Sequence, residues 1–200
     1  MIDTQQKLDA LVRNVRACDL CAAHLPLGPK PLIHVSAQSR ILIASQAPGT
    51  KAHLSGKSFY DASGDRLRKW LELTSEEFYD TQKVAILPMG LCYPGRLPQG
   101  GDKPPRPECA PTWRDKVLSL MPHLRLTLLV GSYSQRHVLG PGSVTDRVQN
   151  FRDYLPEYFP LPHPSWRTGV WERRAPWFQA EVIPALRHIV HAILREGDQK

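Results

Sequence analysis

Residues 40–49 read RILIASQAPG, a short apolar run that leads directly into a proline-glycine turn. An apolar run of this length without polar alternation is typical of a strand buried on both faces of a parallel sheet. A glycine just after such a strand lets the backbone approach a ligand closely. The segment therefore predicts a central parallel strand whose carboxyl end opens into a ligand-binding loop.

Three further runs, at residues 84–87, 126–130 and 158–161, have the same strand-like character. Apolar residues at helical spacing separate them. Helices are predicted at residues 4–17, 63–73, 112–121, 132–139, 145–155 and 173–194, the last bent at Pro184, with a short helix capped by Thr74 and Glu77. Strands alternating with helices indicate one α/β domain over residues 1–200. We expect a three-layer α/β/α sandwich around a mostly parallel four-stranded sheet.

Composition limits the classes of protein that fit this chain. Apolar residues make up 42% and charged residues 22%, which is ordinary for a globular protein and indicates no fibrous or disordered class. No apolar run approaches the roughly 20 residues that cross a bilayer, and the first residues lack the layout of a signal peptide. We expect a cytoplasmic monomer with no membrane partner.

The chain is basic. Lys and Arg number 26 against 19 Asp and Glu, which gives a formal net charge of +7. Such a charge suits a polyanionic partner such as DNA, because side chains that neutralise phosphates release condensed counterions. A generic basic surface explains the same charge, so charge alone leaves both interpretations open.

The four cysteines form one tight pair, Cys18 and Cys21, and two widely separated residues, Cys92 and Cys109. In the cytoplasm such cysteines bind metal or take part in redox chemistry more often than they form stable disulfides. A zinc ribbon would bring a second tight pair, whereas four thiolates also suit an iron–sulfur cluster. From the spacing alone, zinc, a cluster and buried cysteines without a metal all remain open.

Taken together, these features resemble the uracil-DNA glycosylase superfamily. Residues 44–49 resemble its first motif, residues 163–165 (HPS) its second, and residues 56–59 (GKSF) the segment before a helix. The cysteines resemble those of the superfamily's iron–sulfur family, including a proline-rich loop ending in PPRPECAP at residues 104–111. The resemblance runs from Cys18 to the last helix and is closest to a bacterial branch.

The resemblance implies a function. It implies a hydrolase of DNA repair that cleaves the N-glycosidic bond of a uracil-like, damaged or modified base in single- or double-stranded DNA. It also implies a structural 4Fe–4S cluster, with zinc or no metal as alternatives; the ligands would be Cys18, Cys21, Cys92 and Cys109. Two other interpretations stay open: a non-catalytic nucleic-acid binder of the same fold, and a small nucleoside or nucleotide hydrolase.

The same resemblance suggests roles for individual residues. His163 would donate a hydrogen bond to the oxygen of the leaving base, and Phe59 would offer it an aromatic face. Gln46 would orient water, or Asp61 would supply a carboxylate. The catalytic candidates are therefore His163, Gln46 and Asp61, the substrate-binding candidates Ala47, Pro48, Gly49, Phe59 and Pro88, and the DNA-binding candidates Ser165, Trp166 and Arg167.

Two positions depart from the iron–sulfur family. Gln46 stands where that family carries a glutamate able to activate water. Pro88 stands where it carries an asparagine that reads the uracil edge, and proline has no polar side chain. A pocket without that contact loses its strongest means of rejecting other bases. We therefore expect a selectivity different from strict uracil recognition.

Overall fold

The computed structural model describes residues 3–196 and is built around a four-stranded sheet. The strands are β1 (Ile41–Ala44), β2 (Val84–Ile86), β3 (Leu126–Val130) and β4 (Tyr158–Leu161), in the spatial order β2-β1-β3-β4. Every neighbouring pair runs parallel, and each strand lies within a predicted run. The predicted domain of residues 1–200 also includes residues 1, 2 and 197–200, which lie outside the described residues.

Nine α-helices surround the sheet in the described part of the chain. They are α1 (Thr4–Arg16), α2 (Thr50–Ser55), α3 (Ala62–Leu71), α4 (Ser75–Tyr79), α5 (Cys109–Leu118), α6 (Ser132–Leu139), α7 (Val144–Gln149), α8 (Thr168–Arg174) and α9 (Ile183–Arg195). Between residues 3 and 196, none of them has the length and apolar character that a membrane span requires.

Successive strand residues face opposite sides of the sheet, as the two-residue period of a strand demands. Ile41 and Ile43 join a core cluster that includes residues of α3 and α9, while Leu42 between them joins a second cluster with residues of α1 and α5. Burying each such side chain contributes about 1.5–3 kcal/mol. The two clusters confirm the predicted α/β/α sandwich.

The single closing helix predicted over residues 173–194 is wrong. α8 ends at Arg174. Ala175 after it has a φ of −128° and a ψ of 64°, which are not helical, because Pro176 disfavours the helical conformation in the residue before it. After a π-turn at Phe178–Val182, α9 begins with Pro184 in its first turn. Residues 176–195 are helical without interruption, so the break lies at Ala175, and Pro184 lies inside the helix directly after the π-turn, where it has no N–H to donate.

Three shorter segments also differ from prediction. α2 follows Gly49 where a loop was expected, and it ends at Gly56, whose φ of 74° suits only glycine. α5 begins at Cys109 instead of Thr112, and the helix expected over 145–155 stops at Gln149 before a 3-10 turn. The predicted capping box of α4 is confirmed by reciprocal hydrogen bonds between Thr74 and Glu77.

The turn into α3 holds Phe59 in the left-handed region at φ 58°, which is rare for an aromatic residue. Asp61 caps the helix, and its Oδ1 accepts hydrogen bonds from the N–H groups of Ser63 (2.9 Å) and Gly64 (3.0 Å). A methyl group on Gly64 would lie 1.7 Å from the carbonyl oxygen of Phe59. The position of Phe59 therefore depends on the absence of a side chain at residue 64.

The variant Gly64→Ala should lose on the order of 3 kcal/mol of unfolding free energy, because either the turn or α3 must move to relieve this overlap. Urea unfolding measures the loss. Gly169→Ala is the matched control, since a methyl group there would only touch Arg66 at 3.6 Å and sits in α8, where alanine is favoured. Equal stability of the two variants would contradict the proposed packing.

Candidate active site

A polar pocket of about 460 Å³ lies where β1, β2 and β4 reach their carboxyl ends. Its walls come from the segment after β1, from Pro88 after β2, from His163 after β4 and from the turn into α3. In parallel sheets this edge is where ligands bind, because loops from neighbouring strands converge there.

The structure brings together eight of the residues singled out from the sequence. All three catalytic candidates and all five substrate-binding candidates line this one pocket: His163, Gln46, Asp61, Ala47, Pro48, Gly49, Phe59 and Pro88. Although the chain positions of these residues span more than a hundred residues, one cavity contains them. Their chemical roles remain predictions.

His163 is fixed by hydrogen bonds to its carbonyl group and by close packing against Gly131. Its carbonyl oxygen accepts hydrogen bonds from the Ser165 N–H (2.8 Å) and from the Thr168 hydroxyl. Gly131, at φ 87°, lies against it so closely that a methyl group there would approach His163 Cβ to 3.3 Å. Burial lowers the pKa of the imidazole, against an opposing effect of the Asp61 carboxylate. His163 is therefore neutral at neutral pH and carries one N–H donor.

The segment after β1 is fixed by its neighbour across the sheet. The N–H of Met89 donates to the Ser45 carbonyl and that of Gly90 to the Gln46 carbonyl, both at 2.8 Å. Among the described residues, the N–H groups of Gln46 and Ala47 themselves donate to no acceptor. Two backbone donors at the pocket wall are thus available to a ligand oxygen.

Sequence reasoning missed several residues of the pocket wall, namely Ser45, Ala52, Ser58, Ser63 and Asp102. The first four are small residues beside predicted ones. Asp102 is different, since it comes from the long loop between Cys92 and Cys109. The only signal in the sequence is that a cysteine lies at each end of this loop. The cysteines indicate that the ends of the loop are fixed, but they do not indicate which part of the protein the middle of the loop contacts.

The three residues predicted to bind DNA do not lie together in the structure. Ser165 adjoins the pocket through its hydrogen bond to His163. Trp166 and Arg167 instead lie on the surface, with 76% of Trp166 exposed and the Arg167 guanidinium 5.3 Å from the centre of its ring. Together with Val170 and Arg174 they border a shallow depression of about 630 Å³. An exposed indole beside an arginine, on a surface that includes a second arginine, can contact nucleic acid.

All four cysteines line a second cavity, of about 410 Å³, and none forms a disulfide. The remaining wall is largely apolar, and burial raises the pKa of the Cys21 and Cys92 thiols and that of Cys109 to about 11. The Leu91 N–H donates to the Cys109 sulfur at 3.3 Å. Within residues 3–196, no three His, Cys, Asp or Glu side chains are placed to hold a metal ion.

Comparison with known proteins gives two results. A family model described as the uracil DNA glycosylase superfamily matches residues 33–187. That range includes every residue of the polar pocket, together with Cys92 and Cys109, but neither Cys18 nor Cys21. Among solved structures, the chain is similar to the solution NMR structure of a candidate uracil DNA glycosylase from Methanosarcina acetivorans. The two are 14% identical with a TM-score of 0.45, over 78% of this chain and 94% of that one.

The electrostatics of the pocket can be tested without assuming an activity. Asp61→Asn should lower the pKa of His163 further below its ordinary value, because the carboxylate that favours the imidazolium is removed while asparagine can still cap α3. NMR titration of the histidine ring measures this pKa. Asp65→Asn, an exposed position on the same helix, is the control and should leave it unchanged. A raised pKa in Asp61→Asn would contradict the assignment.

Proposed function

We propose that this chain, which belongs to the uracil DNA glycosylase superfamily, is a glycosylase that hydrolyses the N-glycosidic bond of a modified base in DNA. The observation that carries the proposal is the pocket itself. It combines free backbone donors, a neutral imidazole, an aromatic ring and carboxylates around one cavity. Cleavage of a glycosidic bond requires donors for the departing base, a surface that binds it and a group that handles water.

Breaking the bond leaves negative charge on the departing base and positive charge on the sugar ring. Hydrogen-bond donors aimed at the oxygen of the base stabilise the first charge. His163 and the N–H groups of Gln46 and Ala47 are suited to this role, because the imidazole is neutral and the backbone donors have no other acceptor in the described chain. Gln46 can orient water with its side-chain amide but has no basicity to activate it.

Phe59 is the proposed stacking surface for the base. Its ring lines the pocket and packs edge-on against Phe78, with ring centres 6.0 Å apart. A base removed from the DNA stack loses its aromatic neighbours, and contact with Phe59 would replace one of them. The strained φ of Phe59 is consistent with such a role, since strain persists where the surrounding structure enforces it.

Pro88 supports a selectivity other than strict uracil recognition. It is buried in the pocket wall and offers the base no polar side chain. Its missing N–H does not weaken the sheet, because the N–H groups of Leu87 and Met89 on either side make the bonds to the β1 segment. Proline is tolerated at this place since β2 is an edge strand.

We propose DNA as the partner and assign the contact to the surface around Trp166 and Arg167. The exposed indole can stack on bases, while Arg167 and Arg174 can neutralise phosphates. This surface begins three residues after His163, so a strand held there would reach the pocket. The chain's net charge of +7 favours the same partner.

We also propose that the four cysteines hold a 4Fe–4S cluster. Four thiolates confined in one largely apolar cavity are unfavourable unless a cationic centre balances them, and the raised thiol pKa values express that cost. The N–H bond to Cys109 is of the kind that stabilises cluster thiolates. When bound, the cluster would cross-link α5 and the long loop to the segment after α1 and would take no part in bond cleavage.

A second candidate function is a nucleic-acid binder of the same fold without catalysis. Gln46 and Pro88 favour the binder. Glutamine at position 46 cannot accept a proton from water, and proline at position 88 offers the substrate no polar side chain. Retention of His163 in a tightly built site favours the enzyme. The two functions differ in whether any base is released.

His163→Ala should reduce base excision by about 10²–10³-fold, the loss expected when one donor to a developing anion is removed. The assay incubates anaerobically purified protein with oligonucleotides that each contain one base, uracil, hypoxanthine, xanthine, hydroxymethyluracil or oxidised guanine, and reveals abasic sites with alkali. His137→Ala, on the exposed face of α6, is the matched control. DNA affinity should stay within a few-fold in both variants. Release of no base by the wild type, with salt-sensitive DNA binding intact, would favour the non-catalytic binder.

Anaerobically purified wild type should be brown and contain about four iron and four sulfide per chain. Cys92→Ser should lose most of the iron and the visible absorption, and should unfold at lower temperature. Leu20→Ala, which changes an exposed residue of the same cavity, should keep both. Colourless wild type containing zinc, or containing no metal, would overturn the cluster assignment.

A further inference from the structure

Asp102 reaches the pocket from a small antiparallel turn within the long loop. The turn is closed by a bridge between Arg96 and Asp102 and by hydrogen bonds from the Lys103 N–H to the Gly95 carbonyl (2.8 Å) and from the Leu97 N–H to the Gly101 carbonyl (2.9 Å). Its tip is exposed, whereas residue 102 is partly buried because the chain returns toward the protein there. This return places a carboxylate in the pocket wall.

The Asp102 carboxylate lies beside the first motif and close to Asp61. A methyl group added to Gly49 would stand 3.4 Å from Oδ2 of Asp102 and 3.9 Å from Oδ2 of Asp61. Both carboxylates therefore lie beside the backbone of Gly49 in the pocket wall. The same pocket also contains His163, so a water molecule bound beside the Asp102 carboxylate would lie in the cavity that holds the imidazole.

The two carboxylates are not equivalent. Oδ1 of Asp61 accepts two N–H groups at the start of α3, so this oxygen is already engaged in capping the helix. Among residues 3–196, no donor forms a hydrogen bond with the Asp102 carboxylate. Burial raises the pKa of Asp102, Arg96 lowers it, and Asp61 raises it. The Asp102 carboxylate thus has free oxygen lone pairs to accept a proton, in surroundings that raise its pKa.

We infer that Asp102 is the general base of the reaction, a role that the first motif cannot fill because residue 46 is glutamine. The inference rests on the proposed glycosylase function. The Asp102 carboxylate accepts a proton from water as the water oxygen bonds to the anomeric carbon. The carbon–nitrogen bond breaks, and its electron pair leaves with the base, whose anionic oxygen accepts a hydrogen bond from His163. The proton on Asp102 then passes to solvent or to the departing base.

Other pocket residues are less suited to this task. His163 has a lowered pKa and is engaged as a donor, and Ser45, Ser58 and Ser63 carry hydroxyls that are far weaker bases than a carboxylate. Asp61 is required at the start of α3. Its place in the proposed mechanism is that of a positioning residue, which keeps α3 and the turn that carries Phe59 in place.

The test compares Asp102→Asn with Asp153→Asn, an exposed residue outside the pocket with the same change of charge. Single-turnover excision is measured across pH on whichever base of the oligonucleotide panel the wild type releases. Asp102→Asn should lose about 10²–10⁴-fold in rate with DNA affinity unchanged, the range for removal of a general base. Asp153→Asn should match the wild type.

The pH profile separates a base from a structural residue. The wild-type rate should fall as acid protonates Asp102. Because burial raises the pKa of Asp102, this fall should occur at a higher pH than for an exposed aspartate. The charged or titratable groups that face Asp102 are Arg96, Asp61 and His163. Asp102→Asn should lack that limb. In Asp102→Ala, added formate should restore part of the rate, since a small carboxylate can occupy the vacated space.

The outcomes are distinct. A wild type that releases no base overturns the proposed function and this inference with it. An active wild type whose Asp102→Asn variant stays within threefold, or keeps the acid limb, overturns the role of Asp102 alone. Loss of DNA affinity or of folding in Asp102→Asn, without formate rescue of Asp102→Ala, would make the residue structural and also overturn the inference.

Discussion

Both cavities depend on three backbone hydrogen bonds that continue the pairing of β1 and β2 beyond the end of the sheet. The N–H groups of Leu87, Met89 and Gly90 donate to the carbonyls of Ile43, Ser45 and Gln46 at 2.8–3.1 Å. Gly90 lies between the two cavities, since it lines the cysteine cavity and also packs near Ala47 of the polar pocket. A methyl group on it would lie 2.8 Å from Pro105 and 3.4 Å from Ala47 of the polar pocket. Displacement of this pairing would open both sites at once.

The loop after β2 links the two cavities functionally. It passes from Gly90 through Cys92, turns at the pocket with Asp102 and returns to Cys109 at the start of α5. A centre bound by both cysteines would close this loop at its ends, and shortening the free chain between fixed points reduces the conformations open to it. Closing the loop would restrict Asp102 in particular, because the turn that carries it has two exposed and conformationally free glycines at its tip. The cluster, although remote from bond cleavage, would thus help to position a carboxylate.

The sequence predicts the sheet and most of the pocket for a simple reason. Four apolar runs mark the strands, parallel strands end at one edge, and the motifs follow two of those ends, so Gln46 and His163 must converge. Prediction fails where a local signal has two interpretations or where the chain path is long-range. Pro176 and Pro184 both lie in the predicted closing helix, yet only Pro176 follows a break, which falls at Ala175. Asp102 lies in a loop whose path is set by contacts at Gly90, Gly95 and Lys103, and none of these contacts follows from local sequence pattern.

The glutamine at position 46 acquires a physical explanation once Asp102 is in the pocket. A glutamate there would place a third carboxyl group beside Asp61 and Asp102, in a cavity where burial already raises the pKa of Asp102. Like charges at such short range oppose one another's ionisation, so one of the acids would take up a proton and lose its value as a base. Glutamine keeps the hydrogen-bonding capacity of the side chain without adding charge. The pocket therefore retains two carboxylates with different duties, one fixed at a helix start and one free to accept a proton.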